Sequence, residues 1–99
     1  MTCLPVIQEV LQGIRDDRAH RIASESLFAL PVVESPLEAG VLVEAAQLFR
    51  AARRAGRTVR SGVDCLVAAC ALRHGLTVLH RGRDFDSLAG VADLRTLRA

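Results

Sequence analysis

Four carboxylates in this 99-residue chain stand where they could do chemistry: Glu9, Asp64, Asp84 and Asp86. Asp64 opens the apolar run Asp64-Cys65-Leu66-Val67-Ala68-Ala69-Cys70-Ala71-Leu72. Asp84 and Asp86 follow the short run Leu76-Thr77-Val78-Leu79-His80. Glu9 lies mid-helix, one residue from an apolar face. Carboxylate oxygens that converge make a site for a hard cation such as Mg2+ or Mn2+. Taken singly, each has an ordinary reading. Glu9 reads as a solvated helix residue, Asp64 as a first-turn capping residue, and Asp84 and Asp86 as first-turn charges that suit a helix dipole. Spacing by itself does not choose between the two readings.

Other chemistries find less support. His20, His74 and His80 share no spacing, and Cys3, Cys65 and Cys70 show none of the intervals of a metal site. Cys65 and Cys70 sit in an apolar run and read as buried thiols. No Gly-rich phosphate loop and no Ser–His–Asp order is present. All 13 basic residues are Arg, and the net charge is only +2, which permits an RNA partner without arguing for one. Arg50, Arg53, Arg54, Arg57 and Arg60 cluster just before Asp64. They read either as contacts to RNA phosphates or as a solvated helix end whose cations suit the dipole. With three Phe and no Tyr or Trp, a base-stacking platform is not expected.

The elements that must position these residues follow from periodicity. A hydrophobic share of 51% in 99 residues predicts one small ordered domain over 1–99. Leu4, Ile7, Val10, Leu11 and Ile14 mark a helix over 3–14, with Thr2 as N-cap and Pro5 in the first turn. A second helix is predicted from Asp17 to Leu27. Leu30 to Glu34 reads as a strand. A long helix is predicted from Ser35 or Pro36 to Ala55, stopped by Gly56. Ser61 to Asp64 resembles a capping box and starts a largely buried helix that runs to His74 and stops at Gly75. Leu76 to His80 reads as a strand, Asp84 to Ala89 as a short helix, and Leu94 to Leu97 as a final strand. Helices alternating with short apolar strands argue for an α/β layer with parallel strands. No leader and no membrane-spanning stretch is visible, which points to the cytoplasm.

From Asp64 to Leu76, and again at Arg83-Asp84-Phe85, the chain resembles PIN-domain ribonucleases, in particular the VapC toxins of bacterial toxin–antitoxin pairs. Leu4-Pro5-Val6-Ile7-Gln8-Glu9-Val10-Leu11-Gln12-Gly13 is similar to the helix that carries that family's second acidic residue. The likeness runs in order from about Thr2 to Leu97. It implies a PIN-like α/β domain with a small parallel sheet flanked by helices. It also implies Mg2+-dependent hydrolysis of RNA phosphodiesters, with Mn2+ as the other suitable ion. Glu9, Asp64 and Asp84 are the implied catalytic residues, and with Asp86 the implied metal ligands. The implied partners are RNA, a cognate antitoxin and a second copy of the chain, with no membrane.

Two departures qualify the likeness. PIN domains begin with a strand ending in an Asp that supplies the first ligand, and neither has a counterpart before Thr2. The domain is therefore expected to be incomplete at its N-terminus, with a start assigned too far downstream, and the chain alone to be nearly inactive. Gly82 stands where relatives often carry Asp or Asn, and it has no side chain to ligate with. The alternative function is a catalytically inactive PIN remnant that binds antitoxin or RNA without cleavage. A helix-turn-helix DNA-binding protein is argued against, because the second helix of each candidate pair is too apolar.

Overall fold

The structure, a computed structural model, describes residues 1–98 and forms two compact units, Met1–Leu37 and Glu38 onward. Among the described residues, no helix is long and apolar enough to cross a membrane.

The first unit begins with a strand that the hydrophobic pattern did not suggest, β1 (Thr2–Cys3). Helix α1 (Leu4–Gln12), helix α2 (Asp17–Phe28) and strand β2 (Val32–Val33) follow. Thr2 is therefore not the cap of α1; Cys3 takes that position, and Pro5 sits in the first turn where its missing N–H costs nothing. Strand β1 pairs with β2 in parallel, Thr2 opposite Val32 and Cys3 opposite Val33. Parallel neighbours need a crossover connection, and α1 with α2 provides it. Helix α2 is capped by the Asp16 carboxylate, which accepts from the Ala19 amide at 2.8 Å. Helix α1 stops at Gln12, two residues before the last apolar position of its stripe.

In the second unit, α3 (Ala39–Arg54) packs along α4 (Gly62–His74), and strand β3 (Val78–His80), helix α5 (Arg83–Ala89) and strand β4 (Thr96–Arg98) complete it. Helix α3 starts later than the sequence suggests. Glu34 adopts a left-handed backbone (φ 53°) that bends the chain out of β2, the bend runs through 34–36, and Glu38 takes the N-cap position without a side-chain cap bond. Ala68, Ala69, Cys70 and Ala71 are all buried, so α4 is apolar on every side and lies in the core. Their small side chains let α3 approach closely through Val41, Ala45 and Ala52. Gly75 ends α4 in the left-handed conformation at φ 64°, which releases the chain toward β3. Strands β3 and β4 run parallel, Val78 opposite Thr96 and His80 opposite Arg98, and α5 is their crossover. Val78 and His80 face the core and Leu79 faces out, the alternation a strand imposes.

The fold is thus α/β with parallel strands, as the sequence implies. The pairing differs in one respect: the strands form two separate two-stranded sheets, one in each unit. Each ladder joins the two strands that flank one helical crossover, so each unit completes its own pair.

Candidate functional site

Asp64 is the third residue of α4, inside the first turn where backbone N–H groups lack helical partners and the helix dipole favours an anion. Asp84 is the second residue of α5 and likewise lies in the first turn of its helix. The packing of α5 against α4 brings the Asp84 carboxylate to the start of α4. Its Oδ2 accepts from the Arg60 amide at 3.1 Å and from the Ser61 amide at 3.0 Å. These are the last two residues before α4. The capping box expected at Ser61 does not form, because its hydroxyl makes no cap bond. Part of that role passes to a carboxylate from another helix.

The charge of both acids bears on Cys65. The residue is 1% exposed, and burial pushes its thiol above the usual 9.0, with the carboxylates of Asp64 and then Asp84 pushing the same way. Two acids from two helices therefore act on one buried sulfur. The thiol stays protonated and shielded, so it is a packing group and not a nucleophile.

Asp86 is directed elsewhere. Residues two apart on a helix lie about 200° apart around its axis, so Asp86 leaves the side of α5 that Asp84 uses. Its Oδ2 pairs with Arg98 on β4, and its Oδ1 lies 3.8 Å from His80 Nε2. The His80 side chain is 3% exposed, its ring lies 5.2 Å from that of Phe85, and neither ring nitrogen makes a hydrogen bond. Glu9 belongs to the first unit, where it is exposed on α1. Among the described residues, no three His, Cys, Asp or Glu side chains gather closely enough to hold an ion. The structure thus sets Asp84 on the amides before α4, whose first turn holds Asp64, and assigns Asp86 an ion pair of its own.

The arginines before α4 divide into held and unheld groups. The Arg53 guanidinium lies 5.0 Å over the Phe49 ring. That of Arg57 lies flat against Gly90, so close that a Cβ there would collide with it. Gly90 caps the C-terminus of α5, where a cation suits the dipole. Two features escaped the sequence reading: the amides of Arg60 and Ser61 as partners of Asp84, and the His80–Asp86–Arg98 group. Both join residues far apart in the chain, and only the pairing of β3 with β4 and the packing of α5 on α4 bring them together.

The pattern of the PIN domain family matches residues 1–91. The chain is 43% identical over 93 residues to VapC ribonuclease Mb1587 of Mycobacterium bovis, covering 94% of this chain and 69% of that protein. The same figures hold for ribonuclease VapC11 of Mycobacterium tuberculosis. Among solved structures, VapBC-5 of M. tuberculosis superposes with a TM-score of 0.69 at 25% identity, over 94% of this chain and 74% of that one. VapBC-1 of nontypeable Haemophilus influenzae gives 0.73 at 15% identity, over 97% and 71%, a likeness of fold.

Proposed function

The chain belongs to the VapC group of the PIN-domain family, and from that premise we propose that it hydrolyses RNA phosphodiesters with a divalent cation, as the toxin of a toxin–antitoxin pair. The observation that carries this reading is that Asp84 of α5 is bonded to the amides at the start of α4, the helix whose first turn holds Asp64. Carboxylates brought from two helices toward one helix start supply the oxygen donors that a hard cation takes, and a cation there would offset their mutual repulsion. The donor set suits Mg2+, which is commonly held through one or two carboxylates while water and substrate phosphate complete its shell. Such an ion, when bound, lowers the pKa of water and offsets charge on the phosphate under attack.

The chain's own residues prepare that site. The Arg60 and Ser61 amides fix Asp84 through Oδ2 and leave Oδ1, which makes no hydrogen bond among the described residues, for a ligand. The first turn of α4 offsets the negative charge of Asp64 through its unpartnered amides. Glu9 is the third proposed ligand, on the strength of the family likeness around it. Asp86, engaged with Arg98, is the least available of the four. VapBC relatives carry antitoxins, and we extend that partner to this chain.

A second reading, a chain that binds RNA or antitoxin without cutting, is favoured by the want of a three-member ligand cluster among the described residues. Single-turnover cleavage of a fluorescent RNA separates the two. Slow cleavage that needs Mg2+ and disappears in Asp64→Asn supports hydrolysis. RNA binding with no cleavage at any Mg2+ concentration supports the second reading.

A further inference from the structure

Residues 45–63 carry five arginines and no carboxylate, yet two of the five are already committed. Arg53 covers Phe49, and Arg57 lies on Gly90 at the end of α5. Arg60 differs. Its amide is bound to Asp84, while its side chain is exposed and makes no ion pair or hydrogen bond among the described residues. Arg81 and Arg83 share that condition. Arg83 immediately precedes Asp84, and Arg81 stands one residue beyond β3 with its carbonyl accepting from Arg98 at 3.4 Å. Three guanidinium groups without a partner among the described residues therefore leave the backbone within three residues of Asp84 or beside it across a hydrogen bond.

We propose that Arg60, Arg81 and Arg83 form a phosphate-binding rim that seats the RNA backbone on either side of the Asp64–Asp84 pair. The inference rests on the RNA-hydrolase reading and identifies how the substrate is held. The acid pair repels a polyanion, so a strand can enter only if cations beside the pair favour its neighbouring phosphates. Arginine suits that task because its planar fork meets two phosphate oxygens at once. The aromatics argue that backbone contacts carry the affinity. Phe85 is buried and Phe49 lies under Arg53, so neither offers a face for a base. Phe28 is exposed but belongs to the other unit. Binding governed by phosphates is steeply salt-dependent and tolerant of sequence.

The test measures the affinity of the intact chain for a single-stranded RNA oligonucleotide by fluorescence anisotropy across a salt series. EDTA is present, so nothing is cut. The triple variant Arg60→Gln/Arg81→Gln/Arg83→Gln is compared with Arg15→Gln/Arg18→Gln/Arg21→Gln, which removes the same charge from the first unit. Each lost phosphate contact lowers the slope of log K against log salt by about 0.7 on a single strand, so the rim variant should lose about 2. The control should keep the wild-type slope, and replacement of the rim by Lys should restore most of it. A rim variant with an unchanged slope, or a control that falls as far, overturns the rim and leaves the hydrolase reading standing. A wild-type chain that binds no RNA overturns both. Because the three side chains have no partners among the described residues, the melting temperature should not move, and a slope change accompanied by unfolding would count against the rim.

Discussion

Replacing Asp84 with Ala removes the acceptor that ties α5 to the entrance of α4. A hydrogen bond to a charged group contributes about 1.5–3 kcal/mol net. Here one oxygen serves two amides, at 3.1 and 3.0 Å, and the carboxylate is only half-buried. Water can reach the Arg60 amide once the carboxylate is gone, because Arg60 is exposed, whereas Ser61 is half-buried. The loss should therefore be about 2–3 kcal/mol, less than two full bonds. For a domain of this size, 1 kcal/mol moves the melting temperature by about 4–8 °C. Asp84→Ala should thus melt roughly 10–20 °C lower by circular dichroism. Asp84→Asn keeps a carbonyl oxygen as acceptor and loses only the charge, so it should lose about 1 kcal/mol. Hydrogen exchange localises the effect: the Arg60 and Ser61 amides should lose protection in the Ala variant before the centre of α4 does. An Asp84→Ala protein that melts within about 2 °C of wild type, with both amides still protected, would refute the clamp.

Three further outcomes follow from the same geometry. Glu9→Gln should leave the melting temperature unchanged, because Glu9 is exposed, while lowering Mg2+-dependent cleavage at least tenfold; equal activity would remove Glu9 from the ligand set. The Cys65 thiol is raised above its usual 9.0 chiefly by burial, so its protonated form is favoured by folding. That contribution to stability is complete below pH 9 and is lost as pH rises past it, because the unfolded chain gives up its proton first. Denaturant midpoints should fall more steeply above pH 9 in wild type than in Cys65→Ala, and identical profiles would contradict the assignment. Gly75→Ala places a Cβ on a left-handed residue at φ 64° and should cost about 1 kcal/mol, read as a lower denaturation midpoint with an unchanged slope.

Much of the fold is legible in the sequence because its cues are local. Gly75 after an apolar run announces the end of α4, and the run itself announces burial. Strand β1 is not legible, since two residues carry no period, and its pairing with β2 is a long-range contact. The box suggested by Ser61 and Asp64 misled for a related reason. The spacing is right, but a distant carboxylate reached the Ser61 amide. At the site, Asp64 could be singled out by its place before an apolar run, Asp84 by its place after one, and both by family likeness. The seating of Asp84 on the amides before α4 could not, because it depends on how α5 packs against α4. Asp86 has the same composition and nearly the same position as Asp84. The two-residue offset alone, about 200° on a helix, sends it to Arg98.

The central claim is that Asp64 and Asp84 together hold the cation that cuts RNA. Its most direct test is single-turnover RNA cleavage by wild type, Asp64→Asn and Asp84→Asn, each with Mg2+ and with EDTA, after circular dichroism has shown all three folded. Slow cleavage by the wild type that vanishes in EDTA and in both variants is the outcome expected. Cleavage that persists in EDTA, or in either folded variant, would contradict it.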